Sequence, residues 1–150
     1  MILVRSQLKK WRTKLVMMAH GSGVRILTGP AGALVEHPLE VSEGSPRART
    51  YCALQSPDGT LFTGEWDCSA GAFTWRYQED EIIRILEGEA FIEIDGEFQR
   101  FGPGDTIFFP LGQSARWRVP QYVRKVFFIR HPGRAVQLLR TFKMPGRSAS

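Results

Sequence analysis

The sequence is poor in the residues that cross-link small domains through disulfides or metals. Among its 150 residues it has two cysteines, Cys52 and Cys68, and three histidines, His20, His37 and His131. Two cysteines cannot form the disulfide framework of a small secreted domain, and their spacing is not that of a zinc knuckle. We therefore interpret both as buried thiols in a reducing compartment, with an inter-strand disulfide as the alternative. Neither is expected to be a nucleophile, because no histidine lies nearby in sequence to activate it.

Long apolar segments are also missing from the chain. The apolar run at residues 15–19 is far shorter than the roughly 20 residues of a membrane-spanning helix. It is also shorter than the core of about 7–15 residues in a secretory signal. The sequence thus predicts a cytoplasmic protein. A chain of this length is expected to form one domain, which buries roughly 68–70% of the surface of its unfolded form.

Acidic residues are absent from both ends of the chain. All 15 lie between Glu36 and Asp105, whereas six basic residues precede this segment and nine follow it. Basic ends could attract nucleic acid or anionic lipid, but no nucleic-acid-binding motif accompanies them. We therefore expect no nucleic-acid partner and favour packing of the basic ends on an acidic centre or on a partner subunit. A protein-interaction module that works through these ends is the alternative.

The ends differ from the centre in residue pattern as well. Residues 1–20 are predicted to form a basic amphipathic arm or helix, which could lie on a membrane surface or pack on a partner. Residues 134–150 are a predicted tail with a short helix at 134–140. The main domain is predicted over residues 21–133, and its glycine- and proline-rich beginning allows only one or two short strands, for example at 24–27.

The centre of the chain has the pattern of an all-β domain. Short runs rich in β-branched and aromatic residues are separated by turn signals every eight to twelve residues. The predicted strands are 50–55, 60–66, 72–77, 82–86, 90–94, 97–101, 106–109, 115–119 and 122–130. Asp95-Gly96 is a strong hairpin signal between two of them. Regular short strands of this kind are typical of a sandwich or barrel.

Two spacings in the centre match the sequence motifs of one superfamily. Glu81 is followed by Gly88 seven residues later, and Gly104 is followed by Pro110 and Gly112 in the pattern Gly-x5-Pro-x-Gly. In this order they resemble the two motifs of the cupin superfamily. The resemblance implies a double-stranded β-helix, which is a jelly-roll barrel, in a single domain.

A narrower resemblance extends over roughly residues 35–131. It rests on the segment 64–73 (GEWDCSAGAF) and on four later residues, Tyr77, Glu81, Trp117 and Lys125. These resemble the small single-domain cupins grouped with ethanolamine-utilisation and ureidoglycine-aminohydrolase proteins (DUF861-type). The resemblance says little about the reaction, because the cupin fold hosts isomerases, oxygenases, lyases and plain binding proteins.

The metal-binding histidines that the cupin resemblance implies are absent. In the first motif their positions hold Trp75 and Tyr77, or Thr74 and Arg76 with the alternative spacing, and in the second motif the position holds Ala115. Only the glutamate of the first motif remains, and one carboxylate cannot hold a first-row transition metal. We therefore expect no metal and no other cofactor. The three histidines present elsewhere are expected at surface or turn positions.

Alternation along the predicted strands assigns side chains to the barrel interior. On the last strand the more apolar face contains Lys125, which therefore points inward among apolar neighbours. The predicted ligand-binding residues are Phe73, Trp75, Tyr77, Glu81, Trp117 and Lys125. The alternative is that the aromatic side chains only fill the space a metal would take, and that Glu81 and Lys125 neutralise each other. Glu79 and Asp80 are expected in a solvated loop.

Three functions are compatible with these features. The favoured one is binding of a small polar organic ligand in the barrel without chemistry. The second is a metal-independent isomerase, epimerase or lyase, in which Glu81 or Tyr77 transfers a proton and Lys125 stabilises an anion. The third is the interaction module described above. A homodimer is expected in each case, because the edge strands of a small open barrel need covering.

The missing histidines lead to a first prediction. The purified protein is expected to contain no stoichiometric transition metal, because three of the four ligand positions hold residues that do not bind one. Elemental analysis after dialysis measures this directly. Manganese, iron, nickel or zinc retained at about one equivalent per chain would contradict the prediction.

Overall fold

The computed structural model describes residues 32–131, and every regular element in this range is a strand. The strands are β1 (Val35–His37), β2 (Glu40–Gly44), β3 (Ala48–Gln55), β4 (Leu61–Arg76), β5 (Asp80–Gly88), β6 (Ala90–Ile94), β7 (Glu97–Phe101), β8 (Thr106–Phe109) and β9 (Ser114–Arg130). The all-β prediction is therefore confirmed. No helix in this part of the chain could cross a bilayer. The elements predicted at 1–20, 24–27 and 134–140 lie outside the described residues.

Three predicted strands, at 90–94, 97–101 and 106–109, have the observed bounds. The prediction was wrong in dividing β4 and β9 into two strands each. These two strands pair with each other along almost their whole length, and a bulge between Ser69 and Gly71 absorbs the irregularity that the sequence pattern suggested as a turn. A bulge bends a strand without ending it.

The bend makes β4 and β9 common to two layers of strands. In the first layer the order is β1-β3-β4-β9-β5-β8, built with the first half of β4 and the second half of β9. In the second layer β2 pairs with the end of β4, and β6 pairs with the beginning of β9 and with β7. The pairs are antiparallel. The arrangement is the jelly-roll fold that the sequence resemblance implies.

Burial alternates along β9 as predicted. On β9 the odd-numbered residues from Ala115 to Phe127, apart from Gln121 in the bend, are buried, and most of their even-numbered neighbours are exposed or half-buried. Aromatic rings from the two layers meet in the interior, where Trp66 of the first layer lies 5.9 Å from Phe73 of the second, centroid to centroid. The core is therefore the space between the layers.

Several arginines on the outer faces pair with acidic residues of the central segment. Arg124 lies 3.1 Å from Glu65 and 3.2 Å from Glu87, and Arg116 pairs with Glu93. These contacts show that basic residues of the last strand pack on the acidic centre of the chain. Packing of the basic residues at 1–31 and 132–150 stays a prediction, since these lie outside the described residues.

The glycine of the first motif gives a test of the fold. Gly88 has φ +70°, and a Cβ added there would lie 2.0 Å from the carbonyl oxygen of Tyr122, which accepts a hydrogen bond from the backbone N–H of Glu89. Gly88→Ala is therefore expected to lower the free energy of unfolding by more than about 2 kcal/mol, measured by urea denaturation.

Gly96→Ala is the matched control for the Gly88 substitution. Gly96 also has a positive φ, +87°, but its added Cβ would meet nothing within 4 Å. Its substitution is expected to cost about 1 kcal/mol, from backbone strain alone. Equal losses in the two variants would show that the close approach to Tyr122 does not matter.

Candidate functional site

A buried ion pair lies between the two layers. Lys125 Nζ donates a hydrogen bond to Glu81 Oε1 at 2.9 Å, and the two residues are 5% and 6% exposed. In the sheet register Lys125 pairs with Ile85 and Glu81 pairs with Ile129, so the two long side chains must extend along the strands to meet. A buried charge of either sign is costly when its partner is missing, so each group requires the other.

Two tryptophans flank the ammonium group of Lys125. Its Nζ lies 5.0 Å from the ring centroid of Trp66 and 5.2 Å from that of Trp117. Both distances are within the range of cation–π attraction. Trp66 was missing from the predicted site. It is the direct partner of Lys125 in the β4–β9 register, and this pairing is what could have identified it.

Two further polar groups in this interior have no partner. Tyr77 and Trp117 are each 2% exposed, and neither Tyr77 Oη nor Trp117 Nε1 makes a hydrogen bond within residues 32–131. Burial and the charge of Glu81 raise the pKa of Tyr77 well above its ordinary value, so the phenol stays protonated. The nearby indole N–H of Trp117 acts in the opposite direction and lowers the pKa of Tyr77. Its geometry with the phenol is not that of a hydrogen bond. The phenol ring stacks on Phe109 at 4.1 Å.

His37 is not the surface or turn residue that we expected. It ends β1, its ring meets Trp75 edge-on at 4.9 Å, and its Nδ1 is buried without a hydrogen-bond partner among the described residues. Burial and the charge of Lys125 lower the pKa of His37 to about 4. The imidazole is therefore neutral near pH 7 and lies within electrostatic reach of the ion pair.

His131, Glu79 and Asp80 lie close together near the beginning of β5 and the end of β9. His131 follows the end of β9 and is partly exposed, as expected, and its Nδ1 pairs with Glu79. Glu79 is mostly shielded by this contact, and Asp80 begins β5 and accepts a hydrogen bond from the backbone N–H of Leu111. Glu79 thus lies in the loop between β4 and β5 as expected, but it is shielded from solvent, and the prediction of a loop was wrong for Asp80, which begins β5. His20 lies outside the described residues.

A surface depression of about 330 Å³ adjoins the interior beside His37. Its lining is formed by the connection between β1 and β2 and the segment that leads into β3: Glu36, His37, Pro38, Leu39, Val41, Pro46, Arg47 and Ala48. Ala48 belongs to the hydrophobic core and Leu39 packs against it. His37 therefore borders both the depression and the region around Lys125.

The interior does not fit the transition metal that the cupin resemblance implies. Within residues 32–131 no three histidine, cysteine, aspartate or glutamate side chains converge in a way that could hold a metal ion. The remaining motif carboxylate, Glu81, is instead bound to the ammonium of Lys125, whose positive charge would repel a cation. No metal-dependent step is therefore derived for this site.

The cysteines take no part in the site. Both are free, Cys68 is buried and Cys52 is only half-buried, which corrects the expectation for the latter. Burial, reinforced by the charge of Asp67, raises the pKa of Cys68 to about 12, and burial also raises the pKa of Cys52. Neither thiol forms the thiolate that a nucleophile requires at neutral pH.

The structure brings the six predicted ligand-binding residues into one interior region. Five are buried and the sixth, Trp75, is half-buried against the core. The buried residues are Phe73, Tyr77, Glu81, Trp117 and Lys125. Chemically this region offers one neutralised ion pair, two neutral donors and aromatic walls. Its role in binding stays a prediction.

Comparison with known proteins supports the resemblance to cupins. Residues 55–127 match the family described as the EutQ-like cupin domain. A curated relative, "Acetate kinase EutQ" of Salmonella typhimurium (strain LT2), is 35% identical over 63 residues, which are 42% of this chain and 27% of that protein. The chain therefore spans only about a quarter of that relative's length.

Two solved structures share the fold. A protein described as ethanolamine utilization protein Q, from Salmonella typhimurium LT2, has a TM-score of 0.52 and 26% identity, over 58% of this chain and 72% of that one. A DUF861-family protein of unknown function, from Pseudomonas syringae pv. tomato DC3000, has a TM-score of 0.58 and 21% identity, over 65% and 44%. The second likeness shows the fold alone. With the motif match, these findings support a small cupin of the EutQ/DUF861 group, and the likeness to the EutQ-like cupin domain covers residues 55–127.

Proposed function

We propose that this cupin domain binds a small organic ligand with a carboxylate group inside the barrel, beside Lys125 and without a transition metal. The observation that carries the proposal is the pair of unpartnered donors, Tyr77 Oη and Trp117 Nε1, buried next to the Glu81–Lys125 ion pair. A buried polar group left without a partner costs about 1–3 kcal/mol. Such groups therefore favour occupation of the site by a molecule that satisfies them.

The balance of donors and acceptors supports an acceptor-rich ligand. Lys125 has three N–H donors, of which Glu81 accepts one, and the indole of Trp117 can only donate. The protonated phenol of Tyr77 adds another donor. Unused donors therefore remain on Lys125, Trp117 and Tyr77 around the ion pair. A carboxylate is planar, carries two acceptor oxygens and is attracted to the ammonium, so it suits this arrangement.

Acetate is a suitable first ligand for testing carboxylate binding. The Salmonella protein is named for acetate, which is a two-carbon carboxylate. The shared segment is 27% of that protein, so we take only the carboxylate from its name and propose no phosphoryl transfer for this chain. An acetate-sized ligand also suits an interior in which aromatic rings already fill most of the space.

A metal-independent isomerase, epimerase or lyase is the second candidate. Tyr77 would act as a general acid rather than a base, since its pKa is raised. Glu81 would be the base, but its hydrogen bond to Lys125 opposes that role. The geometry therefore favours binding over catalysis, and turnover abolished by Glu81→Gln with binding retained would reverse this order.

Acetate binding can be measured at the buried indole. Titration with sodium acetate is expected to shift the Trp117 indole N–H signal in ¹H–¹⁵N NMR spectra, because this donor gains an acceptor. Trp117→Phe assigns the signal, and sodium chloride at equal ionic strength is the control. The shift is expected to disappear in Lys125→Met. An unshifted Trp117 signal, or the same shift with chloride, would refute carboxylate binding here.

The ion pair can be tested by a double-mutant cycle in thermal unfolding. Glu81→Gln and Lys125→Met are each expected to destabilise the protein by about 3–5 kcal/mol, since each leaves a buried charge unpaired. The double variant is expected to recover much of this loss. The exposed pair Arg124–Glu87 is the matched control, with a coupling below about 1 kcal/mol. Near-zero coupling between Glu81 and Lys125 would contradict the pairing described here.

A further inference from the structure

We propose that His37 is a further ligand-binding residue of this site and donates a hydrogen bond from Nδ1 to the same carboxylate. The inference rests on the function proposed above and adds a residue that the sequence did not point to. It also assigns the depression beside His37 as the route by which the ligand enters.

The position of His37 connects it to the site. Its ring contacts Trp75, whose ring in turn lies 6.5 Å from that of Tyr77, so the aromatic side chains form a continuous wall from β1 to the unpartnered phenol. Lys125 is close enough for its charge to act on the imidazole. His37 thus belongs to the same interior as the ion pair, although it comes from a different edge of the sheet.

The hydrogen-bonding state of His37 also points to a ligand. Its Nδ1 is one of three buried side-chain nitrogen or oxygen atoms in residues 32–131 that lack a hydrogen-bond partner, and the other two are Tyr77 Oη and Trp117 Nε1. Neutral imidazole carries one N–H, which can reside on Nδ1. Each of the three atoms can therefore act as a donor, and the proposed carboxylate is the acceptor that they share.

The depression provides access from solvent. Its volume of about 330 Å³ exceeds what acetate needs. His37 contributes to its lining beside Ala48, which belongs to the hydrophobic core, and Leu39, which packs against that core. The charged residues on its lining, Glu36 and Arg47, form an ion pair with each other. That pair leaves no net charge at the mouth to repel an anion. The strand that carries His37 is short and pairs with β3 through three residues.

Two substitutions at position 37 separate the hydrogen bond from the packing. His37→Phe keeps an aromatic ring against Trp75 but removes both nitrogens, whereas His37→Asn keeps a donor near the position of Nδ1. Acetate affinity, measured from the Trp117 indole signal, is expected to fall about 10- to 100-fold in His37→Phe, as for loss of a hydrogen bond to a charged group. In His37→Asn it is expected to stay within about threefold of wild type, since the donor is retained.

A control on the same strand excludes a general effect of disturbing β1. Val35→Ser changes an exposed residue two positions earlier and is expected to leave acetate affinity unchanged. Thermal unfolding of each variant checks that the domain is folded before affinities are compared.

The outcomes distinguish this inference from the function on which it rests. Wild-type acetate affinity in His37→Phe would overturn the role of His37 and leave carboxylate binding intact; an ordered water on Nδ1 would give this result. Equal losses in His37→Phe and His37→Asn would show that a donor at this position does not preserve affinity, and would overturn the proposed hydrogen bond. Absence of acetate binding by the wild-type protein would overturn the proposed function itself, and this inference with it.

Discussion

The hydrogen-bonded pair of Lys125 and Glu81 is the interaction on which the organisation of the interior depends. Neither charge could remain between the two layers without the other, because an unpaired buried charge costs several kcal/mol. The pair connects β9 to β5 and places an ammonium against two indole rings. The pair therefore places two opposite charges in a core whose other buried residues are mostly aromatic and aliphatic.

The second constraint is the bend in β4 and β9. These strands continue from one layer into the other, so residues of the same strand lie on facing walls of the interior. Trp66 precedes the bulge and Phe73 follows it, yet their rings are 5.9 Å apart. On β9, Trp117 and Lys125 come together in the same way. The bend thus assembles most of the candidate site from two continuous strands.

The site differs in chemistry from a metal centre of the same fold. Aromatic residues and an alanine occupy the positions at which the cupin resemblance implies histidines, and the remaining carboxylate is bound to an amine. The interior therefore presents fixed donors in place of an ion. Among the described residues, histidine enters this region through His37, from a strand outside the two motifs. A family model that covers residues 55–127 does not include that strand.

The sequence alone determined the fold class, the strands with strong turn signals and the inward faces of the long strands. These features are local: alternation has a period of two, and residues such as Asp95-Gly96 specify a hairpin from within four positions. The sequence was enough to predict that the side chains of Lys125 and Glu81 lie in the barrel interior. Tertiary structure alone decided that four predicted strands merge into two, that Trp66 faces Lys125, that Glu79 meets His131 and that His37 reaches the core. Each of these depends on pairing between segments distant in the chain, and a residue's neighbours in sequence do not determine that register.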